Sequence, residues 1–342
     1  MQTELKKQIK IGNVELKSNV ALAPLAGITD FVMRQLIREY SPTCLLMTEM
    51  ISSEGLMQNR DHKVIETNEK EAPVSFQIEG HKPELMAKAA KMLEPKATFI
   101  DINMGCPINK IVKGNDGCSL MKNLDLAAEI VTAVKEAVKI PVTCKFRLGW
   151  SQDTMNFVEF AQKMQESGVS AVTVHGRTRS QLYSGIADWD MISKLRGEID
   201  IPYFANGDIV SPETAKECLI RSKADGIAIG RAAMGDLSLL NRVEKYLFDG
   251  ELIQEAPLKD KLKMIKRHLD MQIAFRGEEN GIKFFRKFYP CYIRNFRGGS
   301  EYRHRLVTEL KYDNIISILK EIEQHAWKKQ KILCLYNLNR NK

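Results

Sequence analysis

Short apolar runs, each closing on a polar residue or a glycine, recur eight times between Val20 and Arg231. They are Val20 to Pro24, Leu45 to Glu49, Val74 to Ile78, Phe99 to Asn103, Val142 to Arg147, Ala171 to Gly176, Tyr203 to Gly207 and Gly226 to Arg231. The intervening segments repeat apolar residues at helical spacing, as in Leu85, Ala89 and Met92, or Ala127, Ile130, Val131 and Val134. Each repeat occupies roughly thirty residues, the length of a βαβ unit. Eight strands alternating with helices predict an α/β fold, a (β/α)8 TIM barrel, and the eighth repeat disfavours an open doubly wound sheet. Ahead of the barrel, Ile9 to Lys17 alternates around Gly12-Asn13. It is expected to form a β-hairpin that plugs the barrel bottom.

After Arg231 the strand grammar stops and helical periodicity takes over. Leu262, Ile265, Leu269 and Ile273 share one face, as do Ile315, Ile318, Leu319 and Ile322. The chain is therefore read as a barrel domain over 1–250 and a helical domain over 251–342. Charge follows that division. Residues 259–342 carry 20 lysines and arginines against 9 acidic residues, a net of +11, whereas the whole chain is +8, which leaves −3 for residues 1–258. Within the basic part, Phe284 to Arg305 interleaves Arg286, Lys287, Arg294, Arg297, Arg303 and Arg305 with Phe284, Phe285, Phe288, Tyr289, Tyr292, Phe296 and Tyr302. Cations alternating with π-faces suit phosphates and unstacked bases, although some of these aromatics must pack the helical core.

Composition narrows the class further. With 44% hydrophobic residues the chain can bury a substantial core, and no uncharged apolar run approaches the ~20 residues of a membrane span. The start, Met1-Gln2-Thr3-Glu4, lacks the pattern of a signal peptide. Seven cysteines, without CxxC pairs, argue against a disulfide framework and a structural zinc site. A soluble cytoplasmic protein with reduced thiols and no metal site is expected.

Enzymes with this fold place their chemistry at the C-terminal ends of the strands. Those ends offer Pro24, Glu49, Gln77, Asn103 with Cys106, Lys145 with Arg147, His175 with Arg177, Asn206 with Asp208, and Gly230 with Arg231. Asn206-Gly207-Asp208 and Gly230-Arg231 end the last two strands, the usual phosphate seat of the barrel, where glycines let backbone N–H groups approach a ligand. A phosphate there implies a cofactor reaching across the mouth. Gln77 can pair with a heterocycle edge, and Lys145 can stabilise negative charge on a reduced flavin, a constellation suited to FMN. Lys145 could instead be a Schiff-base nucleophile. The second cation, Arg147, projects to the same side and favours anion binding. The connection Ile108 to Ser119, with Lys110, Lys113, Gly114, Asn115 and Gly117, is expected to be a mobile loop.

Taken together, Pro24-Leu25-Ala26-Gly27-Ile28-Thr29-Asp30, Gln77 with Gly80, Asn103-Met104-Gly105-Cys106-Pro107 with Lys110, Lys145-Phe146-Arg147-Leu148-Gly149, His175-Gly176-Arg177-Thr178-Arg179 with Gln181, Asn206-Gly207-Asp208 and Gly230-Arg231 resemble the tRNA-dihydrouridine synthases. The likeness covers about residues 10 to 310 and is nearest the bacterial B-type branch. It implies an FMN barrel followed by a tRNA-binding helical domain. It also implies a reaction in which NADPH or NADH reduces FMN, hydride passes to C6 of a tRNA uracil, and a cysteine protonates C5. By the same resemblance Cys106 is the acid, and Pro24, Leu25, Ala26, Gln77, Lys145, His175, Asn206, Gly207, Asp208, Gly230 and Arg231 line the flavin. Asn103, Arg177 and Arg179 are expected to hold the flipped base or its phosphate, and Arg286, Lys287 and Arg294 to meet the tRNA backbone. Phe288 stands where similar proteins carry a histidine, and Pro290 predicts a helix break. Two other functions share parts of this pattern: a flavin barrel acting on free pyrimidines or dihydroorotate, which would not need the basic domain, and a non-catalytic RNA-binding protein, against which Cys106 and Lys145 argue.

Overall fold

The computed structural model describes residue 5 and residues 8–60, 62–294 and 298–325. Met1-Gln2-Thr3-Glu4, Phe296, Arg297, Cys334 and the tail from Trp327 lie outside the described residues. Two compact units emerge, one comprising Met1–Ala233 with Leu237–Ile253, the other Met234–Asp236 with Gln254–Lys342. Residues 251–253, assigned above to the helical domain, belong with the barrel. There the Ile253 carbonyl accepts a 2.9 Å hydrogen bond from Arg242 Nε.

Strands β1 (Ile9–Ile11) and β2 (Val14–Leu16) form the antiparallel hairpin. The barrel follows as β3 (Val20–Leu22), β4 (Leu46–Ser52), β5 (Val74–Glu79), β6 (Phe99–Met104), β7 (Val142–Arg147), β8 (Ala171–His175), β9 (Tyr203–Asn206) and β10 (Gly226–Ile229). Every neighbouring pair is parallel, with β10 beside β3. A parallel bridge between Ala21 and Leu45 joins the ends of the sheet, held by Leu22 N–H donating to Leu45 O at 2.8 Å.

Because side chains alternate along a strand, register decides what faces inward. Gln77 lies beside Asp101, Asp101 beside Thr143, Asn103 beside Lys145, Arg147 beside His175, and His175 beside Asn206. Residues near the other ends of the same strands meet the hairpin. Ile9, Ile11 and Leu16 share one buried cluster with Ala21, Leu45, Phe99, Ala171, Phe204 and Ala228. The hairpin tip needs Gly12, whose φ is +59° and where a Cβ would come within 2.8 Å of Pro141 Cγ.

Outer helices bury one stripe each. In Leu124–Ala137 the buried residues are Ala127, Ile130, Val131 and Val134, as the spacing predicts. In Pro83–Leu93 they are Met86, Ala89, Ala90 and Leu93, while Met92 is 55% exposed. Met86 and Leu93, like Leu85 and Met92, are seven residues apart, so the two stripes differ only by a rotation of about 100°. Apolar spacing alone does not choose between them. The connection after β6 is a short helix, Asn109–Lys113, and a 3-10 turn, Gly117–Lys122.

The second unit is helical among its described residues: Leu258–Arg276, Glu278–Phe285, Tyr289–Tyr292, Gly299–Thr308 and a helix over 312–325. The break before Tyr289 falls where Pro290 occupies the first turn of the next helix. Phe285, Phe288, Tyr289 and Tyr292 are buried and therefore cannot stack on bases. Phe285, Phe288 and Tyr292 pack around His268, whose Nδ1 pairs with Tyr292 OH at 2.9 Å and whose ring lies 4.8 Å from Phe285 and 4.6 Å from Phe288, while Tyr289 packs on Phe285. No helix among the described residues is long and apolar enough to cross a membrane.

Candidate active site at the barrel mouth

Above the apolar plug the barrel interior turns polar. Asp101 is buried and accepts from Thr143 Oγ1 at 2.6 Å and Gln77 Nε2 at 2.7 Å. Desolvation raises its carboxyl to about 6 despite those donors and the nearby Lys145 charge. Gln77 Oε1 in turn accepts from Asn103 Nδ2 at 2.7 Å.

Asn103 completes this chain by holding the cysteine loop. Its Oδ1 accepts the backbone N–H groups of Gly105 at 3.1 Å and Cys106 at 2.9 Å. From the other side, Cys118 N–H donates to Cys106 O at 3.1 Å, and Gly117 packs so closely that a Cβ would meet Cys106 O at 2.7 Å. Cys106 is partly buried, and burial pushes its thiol above the ordinary value of 9.0. It is a protonated thiol at neutral pH, fit to donate a proton rather than to act as a nucleophile. Cys44, Cys118, Cys144 and Cys218 are buried.

Positive charge gathers beside it. Lys145 is pulled down to about 8, chiefly by desolvation and then by the Arg147 charge. Among the described residues, no group forms a hydrogen bond or ion pair with its ammonium. His175 is buried and lies well below its usual pKa, first because of burial and then because Lys145, Arg147, Arg177 and Arg231 surround it. It is a neutral imidazole.

Two arginines near this mouth are committed internally. Arg147 donates to Gly105 O at 3.0 Å, Thr178 O at 2.9 Å and Leu182 O at 2.8 Å. Arg177, expected to hold substrate, is 1% exposed. Its guanidinium reaches Asp208 Oδ1 at 3.0 Å and Oδ2 at 2.6 Å, and the carbonyls of Ser184 and Gly185. It fixes the loop after β8. Asn103 likewise spends its Oδ1 on two backbone N–H groups of the cysteine loop, which holds the Cys106 backbone in place. Arg179 remains half-exposed, stacked 4.7 Å over Trp150.

The rest of the expected cofactor seat lies on the turn after β3 and at the ends of β9 and β10. Pro24 and Leu25 are half-buried and Ala26 exposed at the end of β3. Their turn is held by Ile28 and Thr29 N–H groups on Leu25 O and by Glu49, which accepts from Gly27 N–H. Asn206 Nδ2 donates to Ala228 O at 2.7 Å. Gly207 (φ +120°) leaves no room for a Cβ, which would fall 2.8 Å from His175 Cδ2. A Cβ on Gly230 would meet nothing nearer than 3.8 Å, so the backbone there is open to a ligand. Arg231 is half-exposed, 3.4 Å from Asp208. A partly buried ammonium without a hydrogen-bond partner among the described residues, a neutral imidazole and an exposed arginine fit an anionic, phosphorylated cofactor.

Sequence reasoning passed over three neighbours. Asp101 ends no apolar run, yet inward parity with Gln77 places it. Tyr183 lies 5.6 Å from the Arg147 guanidinium and 4.7 Å from that of Arg231. Trp150 lies between Lys122 at 3.3 Å and Arg179 at 4.7 Å, an arrangement only folding reveals. The remaining predicted residues are in the other unit: Arg286 is half-buried near Thr308 O, Lys287 lies 3.4 Å over Phe284, and Arg294 is exposed.

A (β/α)8 barrel with a cationic mouth and a thiol fixed on the loop after β6 places the chain among barrel enzymes that work at the C-terminal ends of their strands. The family model described as "Dihydrouridine synthase (Dus)" matches residues 21–329, and the chain belongs to this family of flavin-dependent oxidoreductases. It is 40% identical over 302 residues to a probable tRNA-dihydrouridine synthase 1 of Synechocystis sp., covering 88% of this chain and 85% of that protein. It is 38% identical over 299 residues to tRNA-dihydrouridine synthase B of Pseudomonas aeruginosa, covering 86% and 90%. Among solved structures, an old yellow enzyme homologue from Zymomonas mobilis shares the fold with a TM-score of 0.52 at 14% identity, over 75% of this chain and 95% of that one.

Proposed function

We propose that this protein reduces uridine in tRNA to 5,6-dihydrouridine, using bound FMN and NADPH or NADH as reductant. The observation that carries the reading is the loop of Cys106, clamped by Asn103 and Cys118 beside the cationic mouth, in a chain of this family. Pro24, Leu25, Ala26, Gln77, Lys145, His175, Asn206, Gly207, Asp208, Gly230 and Arg231 are the residues that would hold FMN. When bound, the flavin supplies hydride for C6 of the uracil.

The chain's own groups do the rest. Lys145, whose ammonium has no hydrogen-bond or ion-pair partner among the described residues, offsets negative charge on an anionic ligand. His175, held neutral, presents a ring nitrogen without adding a fifth positive charge to the mouth. Cys106 supplies the proton at C5, where charge develops as C6 is reduced. Its elevated pKa keeps the proton available until then. Arg179, whose guanidinium donates to Asn109 Oδ1 and stacks on Trp150, would meet the extruded nucleotide. Arg286, Lys287 and Arg294, in the basic unit, suit the phosphates of a folded RNA.

The test is single-turnover oxidation of the photoreduced protein by unmodified tRNA, followed by flavin absorbance and nucleoside analysis. Oxidation on mixing with dihydrouridine formed is the expected result. A reduced-flavin spectrum indifferent to tRNA but responsive to free uracil or orotate would overturn it.

A further inference from the structure

Four side chains at the end of β5 and in the connections after β5 and β6 have no part in the mechanism above: Glu79, His81, Lys110 and Asp116. Glu79 is the last residue of β5, two positions beyond Gln77, and so points to the same inner face. It is 7% exposed, and its Oε2 is buried without a hydrogen-bond partner. A carboxyl in that state is costly unless it is protonated or has work to do. It lies close enough for its charge to act on the Cys106 thiol, which Lys145 and Arg147 oppose from β7. The Asp116 charge acts on Glu79, and Lys110 opposes it. Asp116 pairs with His81 Nδ1 at 2.9 Å, and these two side chains are 20% and 30% exposed. Glu54 and Lys82, themselves paired at 2.6 Å, act on Asp116 from solvent. His81, Asp116 and Glu79 thus run from partly exposed to buried, and Glu79 couples in turn to the partly buried Cys106 thiol.

We propose that Glu79 returns a proton to Cys106 between turnovers and is itself recharged from solvent through Asp116 and His81. The inference rests on the acid role proposed for Cys106. Once C5 has taken the thiol proton, Cys106 is a thiolate. The Glu79 O–H breaks as the S–H forms, leaving a carboxylate that takes a proton from water along the Asp116–His81 pair. No electrons are exchanged. Burial and the Asp116 charge put Glu79 at about 7, whereas burial lifts the thiol above 9.0. The transfer therefore runs downhill, and near neutral pH a sizeable fraction of Glu79 carries the proton to give.

Two measurements test this. The first is the rate of iodoacetamide alkylation at Cys106 against pH, mapped by peptide mass spectrometry, which requires no turnover. Ionised Glu79 disfavours the thiolate, so the wild-type profile should bend near pH 7. Glu79→Gln should lose that bend and react about three- to tenfold faster above it. The second is double mixing of photoreduced holoenzyme with tRNA, re-reduction, and a second tRNA pulse after a variable delay. In Glu79→Gln the first pulse should proceed within about twofold of wild type while recovery for the second slows about tenfold or more, with Glu79→Asp in between. Unchanged alkylation and recovery in Glu79→Gln, with Cys106→Ala inactive in the first pulse, would remove the relay and leave the acid standing. A Cys106→Ala protein competent in the first pulse would remove the acid itself.

Discussion

Phe204 and Asn206 sit two residues apart on β9 and face the same barrel interior, yet they belong to different chemistries. Phe204 lies in the apolar cluster closed by the hairpin. Asn206 lies level with His175 and Arg147, where the interior is polar and cationic. The division runs through the neighbouring strands: Phe99 lies below Asp101 and Asn103, and Ala171 below Thr173 and His175. Barrel stability and barrel chemistry are separated along each strand by one or two inward positions. Substitutions at the two ends should therefore fail in different ways.

The largest effect is expected at the mouth. Cys106→Ala should bind flavin and tRNA normally but lose about 10²- to 10⁴-fold in single-turnover reduction, the usual worth of a positioned general acid. Stopped-flow absorbance on photoreduced protein checks it, and loss of flavin binding in this variant would assign the thiol to the fold instead. At the other end, Phe204→Ala should cost about 3–5 kcal/mol in denaturant unfolding. The rate per folded molecule at a permissive temperature should stay near wild type. A defect in chemistry larger than the defect in stability would break the division.

A subtler effect concerns Lys145. In the protein without ligand its ammonium is held at about 8, below the ~10.4 of a free lysine. An anion placed beside it favours the charged form and raises that value. FMN binding should therefore take up protons, most strongly between about pH 8 and 10, where the free site is partly neutral and the bound site charged. Calorimetry in buffers of different ionisation enthalpy measures the uptake. It should approach one proton per flavin and vanish in Lys145→Gln. Proton release in that window would mean that the ligand leaves the lysine unpaired.

Much of this was legible before folding, for reasons that also mark the limit. β7 runs over Val142–Arg147 as the apolar pattern predicts, because a buried parallel strand is a continuous apolar run and its end is punctuated by charge. β4 continues to Ser52, past Glu49, with a register shift between Met47 and Met50. A bulged strand leaves no such punctuation. At the mouth, residue type announced chemistry but not partners. Asn103 and Arg177 look like ligand donors in a sequence, because both are polar residues at strand ends. Only their geometry shows the hydrogen bonds turned inward, to the cysteine loop and to Asp208. Glu79 was hidden for the opposite reason. It ends a strand that the apolar pattern makes one residue too short, and its missing partner is visible only in three dimensions.

The smallest effect expected lies in the helical unit, which repeats the contrast between packing and chemistry on a surface. Of its aromatics, Phe285, Phe288, Tyr289 and Tyr292 pack the interior. Phe284 stays half-exposed between Arg276 at 3.6 Å and Lys287 at 3.4 Å. Under the function proposed above, RNA recognition by this unit falls to its cations rather than to a row of stacking rings. Neutralising Arg286, Lys287 and Arg294 together should weaken tRNA binding for all sequences alike and lower the slope of log K against log salt by about two to three, roughly 0.7–0.9 for each phosphate no longer neutralised. Filter binding or fluorescence anisotropy across a salt series measures both. Phe284→Leu, which keeps the apolar body and removes the aromatic face, should leave the slope unchanged. A slope that falls with Phe284 but not with the three cations would reverse the assignment and make stacking the main recognition device of this unit.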